Sequence, residues 1–288
     1  DDTEEYIDED YGDQGQWDTH WDYDDAAARL DDDGYPTNHN NDTTTPITLN
    51  AGPNATALST LRGATRPTDP YDGINCCHYT GDTPHHIQTS RTLLARHLRI
   101  PLQKLIIPRQ THSANVATIT HPHHIPPLTD TDALVTNLPR TPLLIHTADC
   151  VPIILHDPHT HTIAAIHAGW RGAIADITTH TVNAMTTLGA HPSHIIAAMG
   201  PAICPKCFET SPQIAAQFPP HLITYPQHPS GSPTTPRPHA DIPALIRLQL
   251  IKAGYHPTTY PCHHSAPTAT RHHTINSGRI TTLILTNP

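Results

Sequence analysis

The chain has 288 residues, with 16 Lys or Arg, 26 Asp or Glu and 26 His, and its formal net charge is −10. The first 42 residues hold 16 of the acids and one base and so carry −15, whereas the other 246 residues hold 15 bases and 10 acids and carry +5. A small charge on scattered bases argues against nucleic-acid binding. The absence of an apolar run of about 20 residues argues against a membrane span.

Residues 1–45 are predicted to be an acidic disordered tail. Like charges repel along this segment, and few aliphatic side chains are present to offset the entropy of ordering it. Residues 46–288 are predicted to be one folded domain, because short apolar runs there alternate with Pro, Gly and Asn. Six cysteines are too few for a disulfide scaffold, so we expect a cytoplasmic protein with reduced thiols.

The patterns of this domain predict both strands and helices. Strands are predicted for three β-rich runs, at 142–145, 151–155 and 162–166. Helices are predicted at 84–98, 173–188 and 242–253, the last with Asp241 as its N-cap. The segment 219–238 is rich in Pro, His, Ser and Thr and is interpreted as a surface loop. Together these elements predict an α/β fold, a single layered domain with mixed β-sheets flanked by helices.

Three segments place a histidine or cysteine beside an apolar run. His112 follows the run 105–107, which we interpret as a strand. Cys150 directly precedes the predicted strand at 151–155, and His167 directly follows the one at 162–166. If these strands are neighbours, the three side chains form a His2Cys set with one position left for water, as in catalytic zinc sites. A Cys150 nucleophile with His167 as its base explains the same residues without a metal.

A glycine-bounded turn at 169–172 leads from His167 into a predicted helix. Its backbone N–H groups, the positive end of the helix dipole and the guanidinium of Arg171 are suited to bind phosphate or a developing oxyanion. The alternative is that the two glycines only make the turn.

Two other motifs lack the partners that their chemistry needs. Cys204 and Cys207 form a C-x-x-C, but no second pair completes a zinc ribbon and no βαβ context indicates a thioredoxin-like site. His159 and His161 form an H-x-H of the kind that multicopper oxidases use, but those enzymes need several such pairs. Neither motif is interpreted as a site of chemistry.

Short motifs span most of the domain: LSTLR at 58–62, NC at 75–76, RQTH at 109–112, DALVT at 132–136, TADCVP at 147–152, AIHAGWRG at 165–172, GPAI at 200–203 and NSGR at 276–279. Together they resemble the bacterial laccase-domain proteins, variously labelled polyphenol oxidase, peptidoglycan editing factor and purine nucleoside phosphorylase. The succession of TADCVP and HAGWRG is highly specific. The resemblance implies a single α/β domain with layered sheets and helices.

The resemblance also implies a zinc site with His112, Cys150 and His167 as ligands, and Cu2+ is the alternative metal. The implied substrates are purine nucleosides and inorganic phosphate, with phosphorolysis of adenosine, inosine and methylthioadenosine and deamination of adenosine. Asp149, Cys150 and His167 are the predicted catalytic residues, and Asp149 is the candidate proton shuttle. Contacts to substrate or phosphate are assigned to Arg62, Asn75, Arg171 and Arg271. The chain departs from the family pattern at 64–65 and at 263–270, which affects the C-terminal wall of the pocket.

We therefore predict a zinc-dependent purine nucleoside phosphorylase with adenosine deaminase activity, acting as a monomer or a weak dimer. Two other enzymes remain as alternatives: a cysteine-type hydrolase that edits peptidoglycan precursors and a copper-dependent polyphenol oxidase. A His-rich metal-binding protein is the non-enzymatic alternative. Chelation, copper-dependent oxygen consumption and metal titration distinguish these hypotheses.

Overall fold

The computed structural model describes residues 46–60, 71, 73–226, 236–256, 263–264 and 280–287. The predicted acidic tail at 1–45 and most of the departing segment at 263–270 lie outside the described residues. In the described ranges, no helix has the length and apolar character needed to cross a membrane.

Among the described residues, the strands form a six-stranded sheet, a four-stranded sheet and a two-stranded ribbon. Their bounds, in chain order, are β1 Ile47–Leu49, β2 Ala55–Ser59, β3 Val116–Ile119, β4 Ala133–Thr136, β5 Leu143–Thr147, β6 Val151–Asp157, β7 Thr162–Ala168, β8 Ile196–Met199, β9 Ile223–Thr224, β10 His239–Ala240, β11 His263–His264 and β12 Ile280–Thr286. The six-stranded sheet has the order β11-β8-β6-β7-β4-β3, and the four-stranded sheet has the order β1-β2-β12-β5. The six-stranded sheet is mixed, because β3–β4 and β8–β11 pair in parallel and its other pairs are antiparallel.

The α-helices lie on the outer sides of these sheets. Their bounds are α1 Pro84–His97, α2 Trp170–Ile174, α3 Ile177–Thr187, α4 Pro212–Ala215 and α5 Ile242–Lys252. Single 3-10 turns occur at Leu102–Lys104, Pro192–His194 and Pro220–Leu222. Within the described part of the chain, α1 packs on the four-stranded sheet, and α2, α3 and α5 pack on the six-stranded sheet.

Alternate side chains of the central strands pack against the helices on one face and against the four-stranded sheet on the other. Ile153 and Leu155 of β6 face the helices α2, α3 and α5, whereas Ile154 between them faces the four-stranded sheet. The β7 strand alternates in the same way, with Ile166 on the helical side and Ala165 between the sheets. Because both faces of these strands are covered, their sequences are continuous apolar runs rather than polar–apolar alternations.

The α/β class with mixed sheets and flanking helices is confirmed, and so are the strands predicted at 142–145, 151–155 and 162–166. Helix α1 matches the prediction at 84–98. Helix α5 begins after Asp241, whose carboxylate accepts a hydrogen bond from the backbone N–H of Ala244 at 2.8 Å. The division into a tail and a single domain remains a prediction.

Three local predictions are wrong. The run 105–107 is not a strand but part of the connection between the 3-10 turn at Leu102–Lys104 and β3, and it makes only an isolated bridge between Ile106 and Leu143. The predicted helix at 173–188 is two helices, since Asp176 adopts a left-handed backbone with a φ of 61° and interrupts the helical hydrogen bonds. The segment 219–238 is not entirely loop, because Ile223–Thr224 pairs with His239–Ala240, whereas residues 227–235 lie outside the described residues.

Candidate metal centre

The hairpin of β6 and β7 brings Cys150 and His167 to one end of the six-stranded sheet. Cys150 directly precedes β6, and His167 is the last but one residue of β7. Their closeness follows from the register, because Val151 pairs with Ala168. His112 reaches the same end from the connection that precedes β3.

The side chains of His112, Cys150 and His167 converge at this end. One ligand atom from each residue, an imidazole nitrogen or the thiol sulfur, lies within 4.8 Å of the other two. The two imidazole rings meet edge to face, with their centroids 4.9 Å apart. His167 is buried, Cys150 is half-buried and His112 is exposed, so the cluster opens to solvent on the His112 side.

A buried carboxylate, Asp132, holds two parts of this cluster at once. Its Oδ1 lies 2.6 Å from Nδ1 of His167, and the same oxygen accepts the backbone N–H of His112 at 3.0 Å. Its Oδ2 accepts the backbone N–H groups of Thr111 and Ser113 at 3.1 and 2.8 Å. A metal-binding histidine commonly uses its second ring nitrogen in such a contact, which fixes the ring and its tautomer. With Nδ1 of His167 donated to Asp132, Nε2 remains for a ligand.

The backbone at the cluster is conformationally demanding. His112 has a φ of 63°, in the left-handed region that non-glycine residues rarely occupy. Asp132 stabilises this conformation through its hydrogen bond to the amide of His112.

Gly169 provides the space that the cluster needs. A β-carbon at this position would lie 2.7 Å from Cδ2 of His112 and 3.0 Å from Sγ of Cys150. The first distance is shorter than real contacts allow and the second is tighter than most, so a side chain here requires His112 or Cys150 to shift. The first glycine of HAGWRG therefore suits the cluster as found, in addition to its position as the N-cap of α2.

The hydrogen bonds of the cluster shift the pKa values of two groups. Burial opposes ionisation of Cys150, but hydrogen bonds with His112 and His167 outweigh burial and lower the pKa of the thiol to about 6. Burial also opposes the charged form of His167, yet hydrogen bonds with Asp132 and Cys150 raise the pKa of this imidazole to about 9. In the metal-free cluster, both shifts favour a Cys150 thiolate beside a protonated His167.

Two imidazoles and a thiolate are a donor set that binds transition metals, and this group could hold a metal ion. In the ranges that the structure describes, no other group of three or more His, Cys, Asp or Glu side chains converges in this way. The prediction from spacing that His112, Cys150 and His167 meet is confirmed as geometry, although His112 comes from a connection rather than from the end of a strand.

The other predicted site residues lie in different environments. Asp149 is half-buried beside Cys150, and burial raises the pKa of its carboxyl. Arg171 is exposed, with its guanidinium 4.9 Å from the ring centroid of Trp170. Arg62 and Arg271 lie outside the described residues.

Asn75 bonds within its own loop rather than with the cluster. Its amide nitrogen donates to Asp82 at 2.8 Å and to Thr80 at 3.2 Å, and its amide oxygen accepts the backbone N–H of Cys77 at 3.0 Å. These contacts organise residues 75–82 ahead of α1.

The H-x-H motif lies at the end of the six-stranded sheet opposite the cluster, so its histidines cannot share a metal ion with His112, Cys150 and His167. His159 and His161 are in the turn between β6 and β7, whereas Cys150 and His167 lie at the open end of that hairpin. Strands of seven residues separate the two ends by roughly 20 Å. The ring of His159 instead stacks on that of His194, with centroids 4.4 Å apart.

Sequence reasoning assigned no role to Asp132. The available signal was an acidic residue that heads the apolar run Ala133–Thr136, where a buried carboxylate requires hydrogen-bond partners. Its partners are distant in sequence, since they come from the connection at 111–113 and from β7. Pattern alone therefore indicates that Asp132 is unusual but does not identify its partners.

Comparison with known proteins gives consistent matches. The family model described as Multi-copper polyphenol oxidoreductase laccase matches residues 56–287. An adenosine deaminase from an unknown prokaryotic organism is 35% identical over 237 residues, which are 77% of this chain and 90% of that protein. A purine nucleoside phosphorylase of Streptomyces coelicolor is 34% identical over 188 residues, which are 65% of this chain and 76% of that protein.

Solved structures share the fold. The crystal structure of Bacillus licheniformis hypothetical protein YfiH matches with a TM-score of 0.73 at 21% identity, covering 85% of this chain and 98% of that one. The crystal structure of YlmD from Geobacillus stearothermophilus matches with a TM-score of 0.69 at 24% identity, covering 82% and 93%. At these identities, the likeness concerns the fold alone.

Proposed function

The chain belongs to the multi-copper polyphenol oxidoreductase laccase family, and on this basis we propose that it is a zinc-dependent purine nucleoside phosphorylase that also deaminates adenosine. The proposed substrates are adenosine, inosine and methylthioadenosine, with inorganic phosphate as co-substrate. Relatives named for both activities support the pairing. The observation that carries the proposal is the convergence of His112, Cys150 and His167 at the open end of β6 and β7.

The donor set fits zinc. In a tetrahedral site with Zn–N near 2.0 Å and Zn–S near 2.3 Å, ligand atoms lie roughly 3.3 to 3.6 Å apart. The three candidate atoms lie within 4.8 Å of one another, so modest side-chain rotation brings them to that spacing. Three protein ligands leave a fourth position open, which distinguishes catalytic from structural zinc sites. The cluster is open to solvent on the His112 side, where a water or substrate atom can enter.

Deamination replaces the amino group at purine C6 with an oxygen from water and releases ammonia. A zinc ion held by His112, Cys150 and His167 would supply the activated water that this reaction needs at neutral pH. The protein must then move a proton to the leaving amine, and Asp149 is the carboxyl that we assign to this role. Asp149 directly precedes Cys150 and is half-buried, and burial raises the pKa of its carboxyl, which supports its choice as a group that carries a proton.

Phosphorolysis breaks the bond between the purine and ribose C1′ while phosphate oxygen bonds to C1′. This reaction needs positive groups that bind phosphate and a donor that stabilises the departing base. We assign phosphate binding to Arg62, Arg171 and Arg271. Arg171 is the second residue of α2 and is exposed, with its guanidinium 4.9 Å from the ring centroid of Trp170. Asn75 contributes indirectly in this proposal, because its amide fixes the loop at 75–82.

A product-resolved assay tests the proposal. Purified protein is incubated with adenosine, with and without phosphate, and adenine, inosine and ribose 1-phosphate are separated while bound metal is measured. We expect inosine in both conditions and adenine only with phosphate. Cys150→Ala is expected to lose both products and the metal, whereas Cys207→Ser, which removes an exposed thiol elsewhere, is the matched control. Undiminished products from Cys150→Ala would overturn the assignment.

A cysteine hydrolase is a second candidate, favoured by one observation. The lowered pKa of Cys150 and its hydrogen bond with His167 are the arrangement of a nucleophile and its base. In this hypothesis, Cys150 attacks an amide of a peptidoglycan precursor and no metal takes part. Activity that survives complete chelation but is lost on alkylation of Cys150 supports the hydrolase and contradicts the zinc enzyme.

A further inference from the structure

A pair of thiols that takes no part in the cluster lies in the turn that follows β8. The backbone closes on itself there, because the N–H groups of Cys207 and Phe208 both donate to the carbonyl of Cys204, at 2.8 and 3.1 Å. The closed turn places the side chains of its first and last residues on one side. The sulfur atoms of Cys204 and Cys207 consequently lie 2.6 Å apart.

This separation brings the two thiols within bonding reach. A disulfide bond is about 2.05 Å long, so a small approach of the two sulfur atoms would join them. Cys207 is exposed and Cys204 is half-buried, so a reagent from solvent reaches Cys207 first. Neither sulfur belongs to the group of candidate metal ligands that the described residues form.

A disulfide between Cys204 and Cys207 would add little to the stability of the fold. A cross-link stabilises a protein mainly by restricting its unfolded chain, and this effect grows with the length of the loop that is closed. Only Pro205 and Lys206 separate the two cysteines, so the loop is very short. Thiol–disulfide exchange needs one accessible thiol that attacks and a second thiol nearby that resolves the mixed disulfide, and this pair provides both.

We propose that Cys204 and Cys207 form a thiol–disulfide exchange site that takes a small, anionic disulfide such as oxidised glutathione as its oxidant. The thiolate of Cys207 attacks one sulfur of glutathione disulfide, and the first glutathione leaves as a thiolate. Cys204 then attacks the sulfur of Cys207 and displaces the second glutathione. Two protein thiols thereby become one disulfide, and one glutathione disulfide becomes two glutathione thiols, with the protein's two protons passing to them.

The surroundings of the turn suit such a reagent. Lys206 lies between the cysteines and is exposed, which places a positive charge beside the carboxylates of an approaching glutathione. The turn is also anchored firmly: the N–H of Ile203 donates to the carbonyl of Asp149 at 2.9 Å, and the N–H of Gly200 donates to that of Pro152 at 2.9 Å. The anchors keep both sulfurs in place while one of them reacts.

Site-resolved mass spectrometry tests the proposal on the full chain. Reduced, folded protein is incubated with oxidised glutathione, quenched in acid, alkylated with N-ethylmaleimide and digested with trypsin. Trypsin cuts after Lys206, between the two cysteines, so the reduced pair yields two separate alkylated peptides and the oxidised pair yields two peptides linked by a disulfide. We expect the linked product, loss of alkylation at both positions and full recovery of alkylation after dithiothreitol. Buried Cys76 and Cys77 serve as internal controls that stay unoxidised.

Single variants separate the two roles. Cys204→Ser removes the resolving thiol, so Cys207 is expected to retain a stable glutathione adduct. Cys207→Ser removes the accessible thiol, so Cys204 is expected to react far more slowly. Circular dichroism verifies that each variant is folded. The proposal is overturned if the wild-type pair remains fully alkylated under conditions that oxidise a reference dithiol, if stable adducts accumulate on both cysteines, or if either cysteine bonds to another partner.

Discussion

Two thiol-bearing regions lie at the same end of the six-stranded sheet, and they are built in opposite ways. The cluster of His112, Cys150 and His167 draws its members from three distant segments and depends on Asp132 to hold them. The turn at Cys204–Cys207 is made by four consecutive residues and closes through its own backbone hydrogen bonds. The cluster therefore requires the whole fold, whereas the turn requires only local geometry. Mutations should separate these two dependencies.

The largest effect is expected from Gly169→Ala. The added β-carbon would lie 2.7 Å from the ring of His112 and 3.0 Å from the sulfur of Cys150, so a candidate ligand must move. Displacement by about 1 Å at a reacting centre costs on the order of 100-fold in rate. We expect a loss approaching that size in kcat/KM for adenosine together with reduced zinc affinity, measured by steady-state kinetics and calorimetry.

Gly189→Ala is the control for this substitution. Gly189 has a φ of 97°, and a β-carbon added there would meet no atom within 4 Å, so alanine strains the backbone without contacting the cluster. We expect a loss of roughly 1 to 3 kcal/mol in the free energy of unfolding and unchanged zinc affinity. Equal losses of affinity in the two variants would show that the space at Gly169 is not special.

Asp132→Asn is expected to have the next largest effect. The amide has one oxygen where the carboxylate has two, so it cannot satisfy His167 and the backbone N–H groups of residues 111–113 together. Loss of such a partner typically costs about 10- to 100-fold in metal affinity. An unsatisfied buried amide adds roughly 1 to 3 kcal/mol of destabilisation. Zinc competition and urea unfolding measure the two effects.

Asp130→Asn is the matched control for Asp132→Asn. Asp130 accepts hydrogen bonds from Asn115 and Thr111 on the surface, and its left-handed backbone is one that asparagine tolerates. We expect zinc affinity close to that of the unmodified protein. An equal loss in this variant would mean that general loop stability, rather than the contact with His167, maintains the cluster.

A smaller effect is expected in the pH dependence of thiol alkylation. Alkylation follows the thiolate, so its rate rises with pH through the pKa, which is about 6 for Cys150 in metal-free protein. His112→Gly removes one of the hydrogen bonds that lower this pKa while accepting the left-handed backbone, so the profile should move to higher pH. Site-resolved alkylation with iodoacetamide measures it, and Cys207 in the same sample should not shift. If the pH profile of Cys150 does not move in this variant, His112 does not lower the pKa of the Cys150 thiol.

The smallest effect is expected from replacing both turn thiols with serine. In the reduced protein, Cys204 and Cys207 lie outside the metal-ligand cluster, and the turn is closed by backbone hydrogen bonds that serine preserves. We expect unchanged zinc content and a change of no more than about 0.5 kcal/mol in the free energy of unfolding. Loss of zinc from the double variant would show that the two regions are one site.

Local sequence patterns predicted the elements that surround the cluster well. Continuous apolar runs at 151–155 and 162–166 are strands buried on both faces, and Asp241 caps its helix as its position suggests. The break at Asp176 was not predictable in this way, because a left-handed residue within a helix-compatible pattern is imposed by packing of α2 and α3 on the sheet. Propensity describes a segment in isolation, whereas packing decides its path.

The cluster itself was predicted by its residue types, but not by its supporting contacts. His112, Cys150 and His167 stand out because each borders an apolar run or a glycine turn. The need for Gly169 and the role of Asp132 arise from contacts between segments that are far apart in the sequence. Such contacts have no local signature, so only the folded arrangement reveals them.

The left-handed backbone of His112 has a consequence for engineering. A non-glycine residue at this conformation costs on the order of 1 to 3 kcal/mol, and glycine at position 112 removes that cost. A screen for heat resistance alone would therefore favour the variant that discards the imidazole. Directed evolution of this protein toward thermostability should hold position 112 fixed, or select for retained metal at every round.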